Sequence, residues 1–266
     1  MPDPPPAPPG SGVAASRSVC SFFPSGARPG ASDHASVLAA PVTFGIAAID
    51  ARLPAGGLQA RGLHELKPHS ARDTGSALAL ALALLAQRGG PRRPLLMVLA
   101  GRAGAEHGLP YGPGLARLGL DPTRLLIVIA GRSADALWAI EEGLRAQALA
   151  GVIAVMSSPG MLPARRLVLA AAEGETPCFM LTGPGASGIG VAHTRWRIAS
   201  RPSAPHPLEP QAPGAWRCAL TLERCRQGPC GPTWSLEWCD ASNRFDLAAA
   251  LPSRAAAATG TGRRTA

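Results

Sequence analysis

The chain has 266 residues, enough for one α/β domain of about 200 residues with a sizeable core and loose ends. Its net charge of +9 rests almost wholly on arginine, with Lys67 the only lysine, a usage that reads as a GC-rich codon bias rather than as a nucleic-acid footprint. The longest helical apolar run, residues 77–86, is too short to cross a hydrocarbon layer of ~30 Å, which excludes a membrane-spanning helix.

Residues 1–38 are rich in Pro, Gly, Ser and Ala without an apolar period, and are expected to be disordered. Phe22 and Phe23 are the large apolar pair there, a docking motif or nothing. The start, Met-Pro-Asp-Pro-Pro-Pro, lacks the basic and apolar regions of a signal peptide, so a cytoplasmic protein with reduced thiols is expected. From residue 41 the character changes, and residues 39–246 are read as one domain. A strand is predicted over 62–66, a polar loop over 67–73, and a helix over 76–88 capped by Asp73 or Thr74. That helix is Ala and Leu all round, hence buried.

Four further apolar runs follow at strand length: 95–100, 125–130, 152–156 and 178–182. None alternates, as expected of parallel strands covered on both faces. Helices are predicted between them: a short one at 115–118 stopping at Gly119, one over 135–149 with Leu137, Ile140, Leu144 and Ala148 on a face, and one over 163–172. After Gly183 the segments 194–199, 216–224 and 233–238 alternate apolar and polar, and the last two form an edge hairpin. The fold class is α/β: a mainly parallel sheet with helices on both faces and a C-terminal antiparallel edge hairpin. Residues 247–266 are read as a disordered basic tail carrying Arg254, Arg263 and Arg264.

A strand, a loop and a helix in this order is where a P-loop sits, but the P-loop chemistry is absent. The loop needs glycines so that backbone amides can wrap phosphates, and a lysine at the helix start. Here Lys67 and Pro68 end the strand, Ser70 and Asp73 stand in the loop, and Thr74, Gly75 and Ser76 open the helix. Lys67 precedes the turn of the loop and cannot serve as that lysine. No cofactor is expected. The cysteines at 218, 225, 230 and 239 lack a C-x-x-C pair, which favours free thiols over a zinc site, and no metal is expected.

Together, the segments Thr43-Phe-Gly-Ile-Ala-Ala-Ile-Asp, Leu53-Pro-Ala-Gly-Gly-Leu and Gly62-Leu-His-Glu-Leu resemble the start of a RecA-like ATPase core. Leu115-Ala-Arg-Leu-Gly-Leu-Asp-Pro-Thr-Arg-Leu-Leu resembles the segment before that fold's third core strand. The closing pair, Trp216-Arg-Cys-Ala-Leu-Thr-Leu-Glu-Arg-Cys-Arg and Trp234-Ser-Leu-Glu-Trp, is similar to the ImuA family, RecA-like (formerly SulA-like) accessory proteins of bacterial damage-induced mutagenesis.

The resemblance implies a DNA-repair and SOS-response role in translesion synthesis. Its implied partners are an ImuB-like inactive Y-family polymerase relative and an error-prone DnaE-type polymerase, with RecA and single-stranded DNA left open. In RecA-like ATPases the strand at 152–156 would end in a magnesium-binding Asp; here it ends in Met156, a thioether with little affinity for a hard cation. A water-activating Glu would fall near Glu106, followed by His107. One carboxylate without cradle or metal ligand cannot carry phosphoryl transfer, so a non-catalytic scaffold is expected.

Trp216, Trp234 and Trp238, with Arg224, are candidate partner anchors, since aromatic and Arg residues form hot spots; core packing is the other reading, for these and for Trp196. Arg195, Arg197 and Arg201 are candidate DNA contacts, or solvated strand charges. Two alternatives remain: a SulA-like cell-division inhibitor, and an ATPase with an aberrant loop.

Overall fold

The computed structural model describes residues 40–248 except 89, 91, 92, 207 and 210, and the expectations for residues 1–38, including Phe22 and Phe23, and for the tail beyond 248 lie outside them. Among the described residues the strands are β1 (Leu63–Pro68), β2 (Leu95–Ala100), β3 (Leu125–Ala130), β4 (Gly151–Val155), β5 (Cys178–Leu181), β6 (Thr194–Arg201), β7 (Arg217–Cys225), β8 (Thr233–Cys239) and β9 (Arg244–Leu247). They form one sheet in the order β3-β2-β4-β5-β1-β6-β7-β8-β9. Strands β1 to β6 pair in parallel, and β6 to β9 pair antiparallel. The predicted edge hairpin is β7–β8, and the strand β9, which sequence reading missed, lies outside it. The helices are α1 (Ala47–Asp50), α2 (Thr74–Ala86), α3 (Ala103–His107), α4 (Gly112–Arg117), α5 (Ser133–Arg145) and α6 (Met161–Glu173).

One core cluster gathers α2, the lead-in residues Val42, Phe44, Ile46 and Ile49, and one face of β1, β2 and β4 to β9; the other lies under α5 and α6. Why α2 is apolar all round follows from the first cluster. The β8–β9 turn returns across it, so that Gln87 donates to the Asn243 carbonyl (3.0 Å) and Trp238 Nε1 to the Arg117 carbonyl (3.1 Å). Nine strands laid flat would span roughly 40 Å; contact with α4 and the end of α2 means that the sheet curls around the helix. At that end the Arg124 guanidinium donates to the carbonyls of Ala86 and Arg88 (both 3.2 Å), supplying the cation that a helix C-terminus favours.

The strand β3 departs from expectation. Its run is as apolar as those of β2 and β4, but it is the edge strand, and it leaves Leu126, Ile127 and Ile129 exposed. Covering both faces was inferred from composition, which cannot tell a central strand from an edge strand.

The strand β1 carries three ionisable residues, His64, Glu65 and Lys67, each bonded to groups in or between β5 and β6. His64, fully buried, sits with Nε2 2.9 Å from the Gln59 carbonyl and Nδ1 2.8 Å from Thr194 Oγ1. A carbonyl only accepts, so Nε2 carries the proton, and Nδ1 accepts from the threonine hydroxyl. Burial, above all, lowers the His64 pKa from 6.5 to about 4. An unfolded His64 takes a proton near pH 6.5 and the folded one does not, so this contribution is complete above pH 6.5 and is lost as pH falls to about 4. The unfolding free energy from urea titrations should therefore drop between pH 7 and pH 4.5 by an amount on the order of 3 kcal/mol, less in His64→Gln. An identical pH slope in the variant would refute the assignment.

Candidate functional site

The C-terminal ends of β2, β4 and β5 and the start of α2 surround a cleft of about 660 Å³, where parallel α/β sheets receive ligands. Thr74, Glu106, His107, Ser133, Met156 and Thr182 are among its lining residues.

The loop into α2 is short and closed on itself. Residues Ala71–Asp73 form a 3₁₀ turn, and the Asp73 carboxylate accepts from Ser70 N (2.9 Å), Ser70 Oγ (2.7 Å) and Ser200 N (2.7 Å). Burial opposes its ionisation, but the bonds from Ser70 and Ser200 outweigh it and bring the pKa down to about 2. This corrects the expected cap. Asp73 fastens the loop to β6, and neither its side chain nor that of Thr74, which donates to the Ala71 carbonyl (2.9 Å), receives the first amides of α2. Ser76 Oγ meets Ser200 Oγ at 2.8 Å and accepts from Trp216 Nε1 at 3.2 Å, so the residue in the lysine position of a P-loop is a serine tied to the C-terminal strands. Gly75 is exposed, and Pro68 closes β1 in the interior.

Lys67 lies within β1, 7% exposed, and its Nζ donates to the Ala186 carbonyl at 2.6 Å. It therefore points into the β5–β6 loop and not at the helix start. Met156 is buried at the end of β4, its amide bonded to the Leu181 carbonyl at 3.1 Å. Glu106 lines the cleft beside His107, exposed, 3.5 Å from Arg102. The cleft thus has no lysine at the start of α2 and no glycine-rich loop leading into that helix, and its carboxylate is held one helical turn from Arg102, which also lines it.

Glu65 is the residue that sequence reading passed over. It is fully buried and accepts from Thr182 Oγ1 (2.9 Å), Ile189 N (2.8 Å) and Arg195 Nε (2.7 Å). The signal was present: His64, Glu65 and Lys67 put three ionisable residues in a strand otherwise apolar and central. Arg195 is consequently committed to Glu65, and Arg197 to Glu223, because both project from the sheet face where those carboxylates stand. Each of these two candidate DNA contacts therefore already holds a carboxylate. Arg201, at the end of β6, is exposed.

The tryptophans also move from surface to interior. Trp196 is fully buried, 5.2 Å from Phe44 and 6.1 Å from Trp234 between ring centroids. Trp238 is 4% exposed and packs edge-on against Phe245, as Trp216 does. Trp238 is thus no partner anchor, for the curl of the sheet covers it; Trp216 and Trp234 are half-buried on the same core, and Arg224 is half-exposed on β7. Cys218 and Cys225 stand seven residues apart on one strand, roughly 23 Å, beyond the reach of one ion. Among the described residues no group of three or more His, Cys, Asp or Glu is placed to hold a metal, and no helix is long and apolar enough to cross a membrane.

No model of a known protein family matches the chain. In structure it is similar to the crystal structure of the RadB recombinase, with a TM-score of 0.55 at 13% identity over 78% of this chain and 100% of that one, which shows the RecA-like fold. In sequence it is 32% identical over 238 residues to Protein ImuA of Caulobacter vibrioides, from strains NA1000 / CB15N and ATCC 19089 / CIP 103742 / CB 15, across 84% of this chain and 95% of the relative. A match of that identity and length places this chain in the ImuA family.

Proposed function

We propose that this chain is a non-catalytic scaffold of damage-induced translesion synthesis, acting in the cytoplasm within DNA repair and the SOS response. It joins an ImuB-like inactive Y-family polymerase relative to an error-prone DnaE-type polymerase, and RecA and single-stranded DNA are compatible further partners. The observation that carries the reading is Lys67: the chain's single lysine is bonded to the Ala186 carbonyl, so none stands at the helix start where a P-loop lysine would reach the phosphates. Support for protein contact comes from β3. An edge strand with Leu126, Ile127 and Ile129 exposed offers unpaired backbone groups and apolar side chains, which proteins working alone usually blunt.

The test is ultraviolet-induced mutation frequency in a strain lacking the gene. Loss should bring it to the uninduced level, with full restoration by wild type and by Glu106→Gln, and reduced restoration by Ile129→Asp. An unchanged frequency on deletion rejects the mutagenesis role, and ATP hydrolysis abolished by Glu106→Gln rejects the non-catalytic one.

A further inference from the structure

The strands β1 to β6 all end on one side of the molecule, and the residues there are unevenly charged. Arg72 follows β1, Arg102 follows β2, Arg132 follows β3, Arg165 lies one turn into the helix after β4, and Arg201 closes β6; all five are exposed. Across residues 69–76, 101–107, 131–137, 156–165, 182–193 and 201–206 the exposed carboxylates are Glu106 and Asp135, Asp73 being buried. His69 and His107 stand exposed on the same side.

The opposite side uses its arginines differently. There Arg61 pairs with Glu175, Arg145 with Glu141 and Glu173, Arg93 donates to the Gln147 carbonyl (3.2 Å), and Arg124 donates to three carbonyls. Arg72, Arg132, Arg165 and Arg201 make no hydrogen bond or ion pair with another described residue. Arg102 meets Glu106 at 3.5 Å, an exposed (i, i+4) pair that holds the guanidinium weakly in water. Codon bias explains why these residues are arginine and not lysine. It does not explain why they stand unpaired on one side.

Strand order places them around the cleft. Arg132 and Arg102 follow the neighbours β3 and β2, and Arg102 lines the cleft. Arg72 and Arg201 follow the neighbours β1 and β6, each one residue from the bond between Asp73 and Ser200. Three strand spacings, roughly 14 Å, separate the two pairs. Between them opens the cleft of about 660 Å³, lined by the apolar Val155, Met156 and Leu181 and by the hydroxyls of Ser133, Ser158 and Ser187. The 13-residue helices α2, α5 and α6 also start on this side without a side-chain cap, so their positive poles add to the arginine field.

Unpaired cations on both sides of a cleft suit a ligand with anions at intervals. The cleft itself suits a flat group that is apolar on its faces and hydrogen-bonds at its edges. A single-stranded nucleic acid has both, a phosphate at each unit and a base free to splay out. An acidic peptide matches the arginines but brings no such group to the cleft, and a duplex keeps its bases stacked.

We propose that the ends of the parallel strands form a site for single-stranded nucleic acid. Arg132 and Arg102 on one side, and Arg72 and Arg201 on the other, hold phosphates while a base enters the cleft. This rests on the scaffold reading, in which single-stranded DNA is a further partner, and gives that partner its surface.

The test measures binding of a labelled oligothymidylate to the full chain by fluorescence anisotropy across a salt series. The logarithm of the affinity should fall with that of salt at a slope of about −3, as four phosphates on a single strand would give. Arg72→Gln and Arg132→Gln, exposed and hence foldable changes, should each weaken binding roughly fivefold and flatten the slope by about 0.7. Arg244→Gln, on the far edge strand β9, should change neither. Hybridising the strand to oligoadenylate should weaken binding, and oligoglutamate of equal charge should not displace the strand. Four outcomes overturn the proposal: no binding at low salt, rim variants that bind as wild type does, a duplex or oligoglutamate held as tightly as the strand, or binding lost instead when Arg254, Arg263 and Arg264 are replaced. None of them touches the mutation-frequency result, so the scaffold reading stands or falls separately.

Discussion

Glu65→Ala should destabilise the chain by about 3–5 kcal/mol, a large fraction of the stability of an ordinary domain. The carboxylate is fully buried, and its removal leaves three donors without their acceptor: Thr182 Oγ1, Ile189 N and Arg195 Nε. The guanidinium matters most, because Arg195 is itself largely enclosed and an unpaired buried charge is costly. For a chain of this size the loss corresponds to a drop in Tm of roughly 6–20 °C. The companion double variant, Glu65→Leu with Arg195→Met, should recover most of it, since both charges then vanish together. Urea unfolding of the two single variants and the double gives the coupling energy directly. Additive losses would mean that the pair is incidental, and the β5–β6 loop would then be held by Lys67 alone.

That hub also shows where sequence reasoning reached its limit. Strands β2 and β3 were legible to the residue, because six apolar residues bounded by turn signals admit few alternatives. The loss of the P-loop was equally legible, since it concerns residue types at fixed spacing. What was hidden is pairing across the sheet. Arg195 and Glu65 are 130 residues apart, and nothing in either segment announces that β1 and β6 are neighbours. The strand β9 was missed because Arg244–Leu247 is only four residues long, too short for its alternation of charged and apolar residues to stand out. The tryptophans misled for a related reason: a half-exposed pattern on β7 and β8 is correct for a flat sheet, but the curl around α2 buries the face they share.

Trp196→Ala should cost about as much as the loss of Glu65, roughly 3–5 kcal/mol, through the cavity left by the largest fully buried side chain. The indole does more than fill space. Its ring lies against Phe44 and Trp234, linking the lead-in segment to the C-terminal strands, and its Nε1 donates to Thr194 Oγ1 at 2.9 Å. That oxygen in turn donates to His64 Nδ1, so one hydroxyl serves β1 and β6 at once. Trp196→Phe keeps most of the packing and removes the donor, and should cost about 1–2 kcal/mol, separating hydrogen bond from volume. Hydrogen exchange should locate the damage. Trp196→Ala is expected to open residues 42–58, whose Val42–Leu58 bridge and Phe44 rest on this ring, before it opens α5 or α6 in the other core. Uniform opening of both cores would show a single cooperative unit instead. A variant as stable as wild type that loses only oligothymidylate binding would return Trp196 to the surface role that its burial denies.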